Sequence, residues 1–283
     1  MTEIRTVQGT IAVIQMSSSH DVAANLAETR RLVADAVTAG AGLVVLPENF
    51  ALMGLREEDK VAAAERPGNG PIQDTLAELA AKHGVWIVGG TAPLASEEED
   101  RVYAACLLFD ERGECIARYD KMHLFDVTLD NGERYLESRT IVPGERIVVT
   151  DTPWGRLGLA VCYDLRFPGM FRAMLDLGAE IIALPAAFTA HTGRAHWEVL
   201  LRSRAIENQC FIAAAAQSGV HGNGRETWGD SMIVDPWGAV INRLERGAGA
   251  VCAPCDRGQL QRIRRSFPVL DHRRELDRTS GKT

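Results

Sequence analysis

The sequence predicts a layered α/β fold built from two similar halves, and three observations carry that expectation. Strand-like apolar runs alternate with amphipathic stretches of helical period along most of the 283 residues. The order of these runs in the first half recurs in the second. A Leu-Pro-x-x-Phe pentad stands at the same place in both, at residues 46–50 and 184–188.

Residues 9–16 read as a strand. A helix follows from about Asp21, with Leu26, Val33 and Val37 on one face and Gly40 past its end. Residues 43–47 form a second strand. Pro71 suits the first turn of a helix that carries Ile72, Leu76 and Leu79 and stops at Gly84. Strands are expected at 85–89, 102–109 and 114–119, the last two joined by the turn at 110–113. In the second half, residues 158–162 echo 10–15, 184–188 echo 46–50, and 234–238 echo 109–113. Two β-α-β-α-β-β halves are thus expected to face each other in one domain spanning residues 1–283.

Three chemically capable residues break the echo or stand beside it. Glu48, Lys121 and Cys162 each follow a β-like run, yet Glu48 corresponds to Ala186 and Cys162 to Gln15. A residue needed only for scaffold geometry would more often be kept twice. The asymmetry points to a single site made from non-equivalent strand ends, where open α/β sheets place their ligands.

Composition narrows the function classes. A net charge of −7 argues against a general nucleic-acid role, which needs concentrated Lys and Arg. Residues 256–283 run the other way, with eight Lys or Arg against four Asp or Glu, and are expected to pack at a subunit interface. No run approaches the ~20 apolar residues of a membrane span, and the first residues show no signal-peptide pattern. Six cysteines in a chain of this length are too few for a disulfide scaffold, so reduced thiols in a cytoplasmic protein are expected.

A free thiol titrates near ~8.5 and needs a base beside it to attack an unreactive amide. Glu48 can take that proton as Cys162 advances, a role worth ~10²–10⁴ in rate. Lys121 can balance the charge and point at the developing oxyanion. Taken singly, a buried Cys is most often packing, a Glu after Leu-Pro can cap a helix, and a Lys can be one of many on the surface. Together they read as an activated nucleophile with its own charge stabiliser.

The flanking residues carry a resemblance. Leu-Pro-Glu-Asn-Phe, Tyr-Asp-Lys-Met-His-Leu-Phe-Asp and Val-Cys-Tyr-Asp-Leu-Arg-Phe-Pro resemble the three signature blocks of the nitrilase, or carbon–nitrogen hydrolase, superfamily, in order and with spacings of 73 and 41 residues. The resemblance covers about residues 8–275. It implies an α-β-β-α sandwich that pairs into a homodimer or higher homo-oligomer, and a Glu48–Lys121–Cys162 triad acting without metal or organic cofactor. It also implies a second glutamate, matched by Glu137. Tyr163 after the nucleophile, where true nitrilases have Trp, favours an amide over a nitrile. Residues 195–210, 235–238 and 267–274 are similar to the branch of amidases acting on deaminated glutathione and other α-keto amides. By the same resemblance, Arg166 would bind a substrate carboxylate through its fork of donors. Thr192 would touch substrate, and the Tyr163 N–H would serve the oxyanion. Cleavage of α-ketoglutaramate, hydrolysis of N-carbamoyl amino acids and an inactive interaction scaffold are the alternatives.

Other signals are weaker. Cys252-Ala253-Pro254-Cys255 is a lone C-x-x-C without a second pair. His191 and His196 miss the i, i+4 spacing of a helical metal pair. The Gly-Asn-Gly stretches at 68–70 and 222–224 are turn chemistry without a phosphate-binding context. His123 is expected to pack or to orient Lys121.

Overall fold

In the computed structural model, which describes residues 9–130 and 132–274, strand and helix alternate through both halves. The first half holds β1 (Gly9–Gln15), α1 (Val22–Thr38), β2 (Ala41–Val45), the short α2 (Asp59–Ala62), α3 (Pro71–His83), β3 (Trp86–Val88), β4 (Ala92–Ala95), β5 (Val102–Phe109) and β6 (Cys115–Asp120). A small hairpin, β7 (Asp126–Thr128) with β8 (Arg134–Leu136), and then β9 (Val148–Thr152) lead onward. The second half holds β10 (Gly155–Leu159), α4 (Pro168–Asp176), β11 (Ile181–Ala186), α5 (Ala190–Asn208) and β12 (Phe211–Ala216). It continues through the hairpin β13 (Ser218–Val220) and β14 (Glu226–Trp228) to β15 (Ser231–Val234) and β16 (Val240–Leu244). β17 (Gly249–Cys255) and α6 (Arg257–Ser266) complete the described elements.

The duplication holds strand by strand. One sheet runs β17-β1-β2-β3-β5-β4, with β6 also on β5, and the other runs β16-β15-β12-β11-β10-β9. In each, three parallel strands (β1, β2, β3 and β10, β11, β12) are extended by two antiparallel ones (β5, β6 and β15, β16). Even the turns match. Asp110 accepts the amides of Arg112 and Glu114, and Asp235 those of Trp237 and Ala239, all at 2.9 Å. Each half also has an antiparallel edge strand beside its first strand, β17 beside β1 and β9 beside β10. Apolar alternation did not mark these edges because much of β9 and β17 is only half-buried.

Helices cover both outer faces. Leu26, Leu32 and Val33 of α1 and Ile72, Leu76 and Leu79 of α3 pack with Ala12, Ile14 and Val44 of the first sheet. The alternate residues Ile11, Val13, Leu43 and Val45 belong to the core shared with the second sheet, as the period of two requires. Phe171 and Met174 of α4 and Trp197 and Leu201 of α5 close the other side. Local signals set the helix ends. Asp21 accepts the Ala24 amide at 3.0 Å to start α1, and Gly40 follows its end at φ +89°. The buried Glu65 carboxylate takes the amides of Ile72 and Gln73 at the start of α3.

The middle of the sandwich is thin. β12 ends in four alanines, and Cα atoms of β1 and β12 come within 8 Å, closer than the ~10 Å of ordinary stacked sheets. A parallel bridge between Met16 and Gln217 then ties the carboxyl ends of the two sheets together. Strand ends from both halves therefore open onto one end of the sandwich.

The basic C-terminal segment is partly used within its own chain. Arg257 pairs with Glu180 at 2.8 Å, and Arg264 donates to the carbonyls of Gln209 and Ala179 at 3.0 Å. The last nine residues, 275–283, lie outside the described residues. No helix among the described residues is long and apolar enough to cross a membrane.

Candidate active site

Three corners at the shared end of the sandwich hold the three strand-end residues. After β2 the chain turns at Glu48 and Asn49. Asn49 has φ +58°, a conformation Asn tolerates better than most residues, and its amide donates to Thr91 Oγ1 at 2.9 Å. Gln217, from the opposite sheet, donates to the Glu48 carbonyl at 3.0 Å. Lys121 follows β6 directly, with its amide on the Ala104 carbonyl. Cys162 opens a tight 3-10 turn, Cys162–Arg166, between β10 and α4, where Pro168 takes the first helical position as expected.

Cys162 sits at φ +48°, in the left-handed region. For a residue other than glycine this costs of the order of 1–3 kcal/mol, so the surroundings must enforce it. Asp164 is the buried anchor. Its carboxylate accepts Tyr119 Oη at 2.6 Å, the Val161 amide at 2.8 Å and the His123 amide at 3.1 Å, and it lies 2.7 Å from His123 Nδ1. His123 also stacks on Phe167 at 3.7 Å. One carboxylate thus fastens the Cys162 corner to the segment that carries Lys121.

The corners converge. Lys121 Nζ lies 2.8 Å from Glu48 Oε1 and 2.8 Å from both Glu137 oxygens. Glu137 begins a turn after β8, and the Phe125 amide fixes its Oε2 at 2.7 Å. Glu48, Lys121 and Cys162 are 4%, 1% and 7% exposed, so their charges act on one another with little screening. Burial alone would raise the Glu48 carboxyl, but the charge and hydrogen bond of Lys121, together with a hydrogen bond from Cys162, hold the group below its ordinary range. Burial works against the Lys121 charge, and Glu137 and Glu48 overcome it to raise that group well up. Burial, followed by the Glu48 carboxylate, pushes the Cys162 thiol well up, and Lys121 offsets only part. The resting pattern is therefore a neutral thiol, an ionised Glu48 and a charged lysine. Attack by sulfur must pass its proton to a neighbour during the step.

Cys162 opens into a cavity that all seven residues singled out from the sequence line: Glu48, Lys121, Glu137, Cys162, Tyr163, Arg166 and Thr192. Arg166 does not pair with Asp164. Its guanidinium lies over the Tyr163 and Phe188 rings and contacts His196 Nδ1 at 3.2 Å. Burial, then the charge of Arg166, lower the pKa of His196, which keeps it a neutral acceptor. Thr192 lies in the first turn of α5, its hydroxyl 2.8 Å from that of the capping Thr189.

Several lining residues carry no mark in the sequence. Glu57 and Lys60, 2.8 Å apart, come from the segment around α2. Arg225 follows the Gly-Asn-Gly turn, and only the β13–β14 hairpin brings it to the cavity. The weaker signals resolve simply. Cys252 packs toward the outer helices and Cys255 toward the inner core, on opposite faces of β17. His191 lies 3.1 Å from Asp130, and His196 is the Arg166 contact.

Comparison with known proteins agrees with this geometry. The family model described as "Carbon-nitrogen hydrolase" matches residues 10–265. A relative from Yersinia enterocolitica, described as deaminated glutathione amidase, is 47% identical over 93% of this chain and 92% of its own. The crystal structure of the Caenorhabditis elegans NitFhit protein superposes with a TM-score of 0.89 at 38% identity, covering 95% of this chain and 66% of that longer one. Saccharomyces cerevisiae Nit3, described as a member of branch 10 of the nitrilase superfamily, gives 0.84 at 30% identity over 95% of this chain and 97% of its own.

Proposed function

This chain belongs to the carbon–nitrogen hydrolase family and hydrolyses carbon–nitrogen bonds in linear amides, and from that premise we propose its substrate and the roles of its residues. The substrate is a small α-keto amide bearing carboxylates, with deaminated glutathione the best candidate. The name of the Yersinia relative and the presence of Arg166 in the cavity support that reading.

Cys162 Sγ attacks the amide carbonyl while Glu48 takes the thiol proton. A bond to Glu48 and a forked bond across Glu137 use two of the three Lys121 N–H groups, leaving one for the carbonyl oxygen as it becomes an anion. The Tyr163 N–H is the second donor. Glu48 returns the proton to the departing nitrogen, the C–N bond breaks, and a thioester to Cys162 remains. Water then adds to the thioester, giving a proton to Glu48, with Glu137 holding Lys121 in place. The C–S bond breaks, the proton returns to sulfur, and the free acid leaves.

The observation that carries this reading is the Lys121 ammonium bridging two carboxylates in the cavity that Cys162 lines. Supplying deaminated glutathione, α-ketoglutaramate and N-carbamoyl amino acids to the protein, and following released amine or ammonia, tests the substrate. Deaminated glutathione should be cleaved fastest, and Cys162→Ala should abolish cleavage while keeping the thermal melt. Turnover that survives in that variant rejects the mechanism.

We assign the chain, as one domain, to a cytoplasmic homodimer. Trp237 and Phe267, 60% and 50% exposed and in edge contact at 5.7 Å, supply an apolar surface for pairing. Sedimentation tests that assignment.

A further inference from the structure

The cavity continues into a second, wider groove. Glu57, Tyr135, Leu136 and Arg225 line both spaces. The groove extends past Leu55 and Arg139 toward solvent. Arg225 therefore stands at the neck between the reaction cavity and solvent, whereas Arg166 lines the inner space and not the groove.

The cations of this region differ in their commitments. Lys121 holds two carboxylates, Lys60 holds Glu57, and Arg139 holds Glu58 at 3.4 Å. Arg166 and Arg225 have no carboxylate partner among the described residues. Arg225 Nη2 donates to the Ala187 carbonyl, its Cζ lies 5.1 Å from the Tyr135 ring centre, and its buried Nε has no hydrogen-bond partner. A guanidinium braced by a ring and a carbonyl, with its Nη1 group making no hydrogen bond among the described residues, is pre-positioned for an anion at little cost in side-chain freedom.

The reaction orients the substrate between the two arginines. The acyl part stays on Cys162 as a thioester while the amine departs, so the amine side must face the route to solvent. That route passes Arg225. We propose that the neck and outer groove form a subsite for the leaving amine, and that Arg225 selects leaving amines that carry a carboxylate, as a short peptide does. The inference rests on the α-keto amide reading above and deepens it. Arg166 takes the acid of the acyl part, and Arg225 takes the acid of the amine part.

The test compares three amides with the same α-keto acyl group: one releasing cysteinylglycine, one releasing cysteinylglycine amide, and one releasing ammonia. The unsubstituted protein should favour the first over the second by about 10- to 100-fold in kcat/KM, the range expected of a hydrogen bond to a charged group. In Arg225→Met that preference should collapse to within about threefold. Arg225→Lys, a point charge without the fork, should keep part of it. Because all three amides share one acyl group, any general disturbance of the cavity by the substitution cancels in the ratio. A preference that survives in Arg225→Met, or one absent from the unsubstituted protein, overturns the subsite. If the unsubstituted protein cleaves none of the three, the α-keto amide reading itself falls, a result distinct from equal cleavage of all.

Discussion

The two halves share strand order, an edge strand and an aspartate-anchored hairpin turn, but equivalent strand ends do different work. At the end of β1, Gln15 spends its amide on scaffold, accepting the Ser231 amide and donating to the Gly247 carbonyl, both at 2.8 Å. Its counterpart, Cys162, stands in a strained corner that opens to the cavity. The second pair diverges as sharply. Ala186 is still within β11, paired with Ala216 and wholly buried, whereas β2 has already ended at Val45 and the chain turns at Glu48. One half therefore supplies the ionic groups Glu48 and Lys121, and the other supplies the thiol. A duplicated scaffold gives two sets of strand ends, and reactivity needs only one member of each pair.

The largest effect should come from removing the ionic partner that the first half gives to the second. Glu48→Gln keeps a hydrogen-bonding group beside Lys121 but cannot take a proton, so kcat/KM should fall by ~10²–10⁴, and the melting temperature should drop because buried Lys121 keeps only the Glu137 carboxylate. Making the second half resemble the first should be harmful rather than additive. Ala186→Glu would force a carboxylate into a wholly buried strand position, at a cost of about 3–5 kcal/mol in urea unfolding. A stable Ala186→Glu protein would mean that the two strand ends are interchangeable. A smaller effect is expected at the anchor between the halves. Asp164→Asn loses the charge that Tyr119, Val161 and His123 share, and should cost about 1–3 kcal/mol of stability together with roughly tenfold in kcat/KM. Full activity there would show that the sheet alone holds the Cys162 corner.

How much of this was legible from residues alone follows from what each residue depends on. Glu48, Lys121 and Cys162 stood out because each ends a strand-like run, and strand ends are local features. The repeated Leu-Pro-x-x-Phe and Asp-x-x-Gly patterns announced the duplicated topology for the same reason. Asp164, Gln217 and Arg225 did not stand out. Asp164 gains its role only when Tyr119 and His123 arrive from 41 to 45 residues away, and Gln217 meets Glu48 across 169 residues. Arg225 depends on a hairpin whose strands are three residues each, too short to register as a period. The edge strands β9 and β17 escaped because much of each is only half-buried.

The electrostatics make a directional claim about pH. Glu48 titrates below its ordinary range in the folded protein, so its stabilising contribution is present above about pH 4.3 and is lost as pH falls through its folded value. Cys162 titrates above its ordinary range, so the protein keeps that contribution at neutral pH and loses it as pH rises beyond about 8.5. The measurement that tests the coupling of the two most directly is the rate of Cys162 alkylation by iodoacetamide between pH 6 and 10, read by peptide mass in the unsubstituted protein and in Glu48→Gln. With Glu48 ionised beside a neutral thiol, alkylation should stay slow through pH 8.5 and should speed up in Glu48→Gln, the same variant that loses amide turnover. Fast alkylation with a midpoint below pH 8.5, unchanged in Glu48→Gln, would mean that sulfur rests as a thiolate without reference to the carboxylate, and would contradict the account.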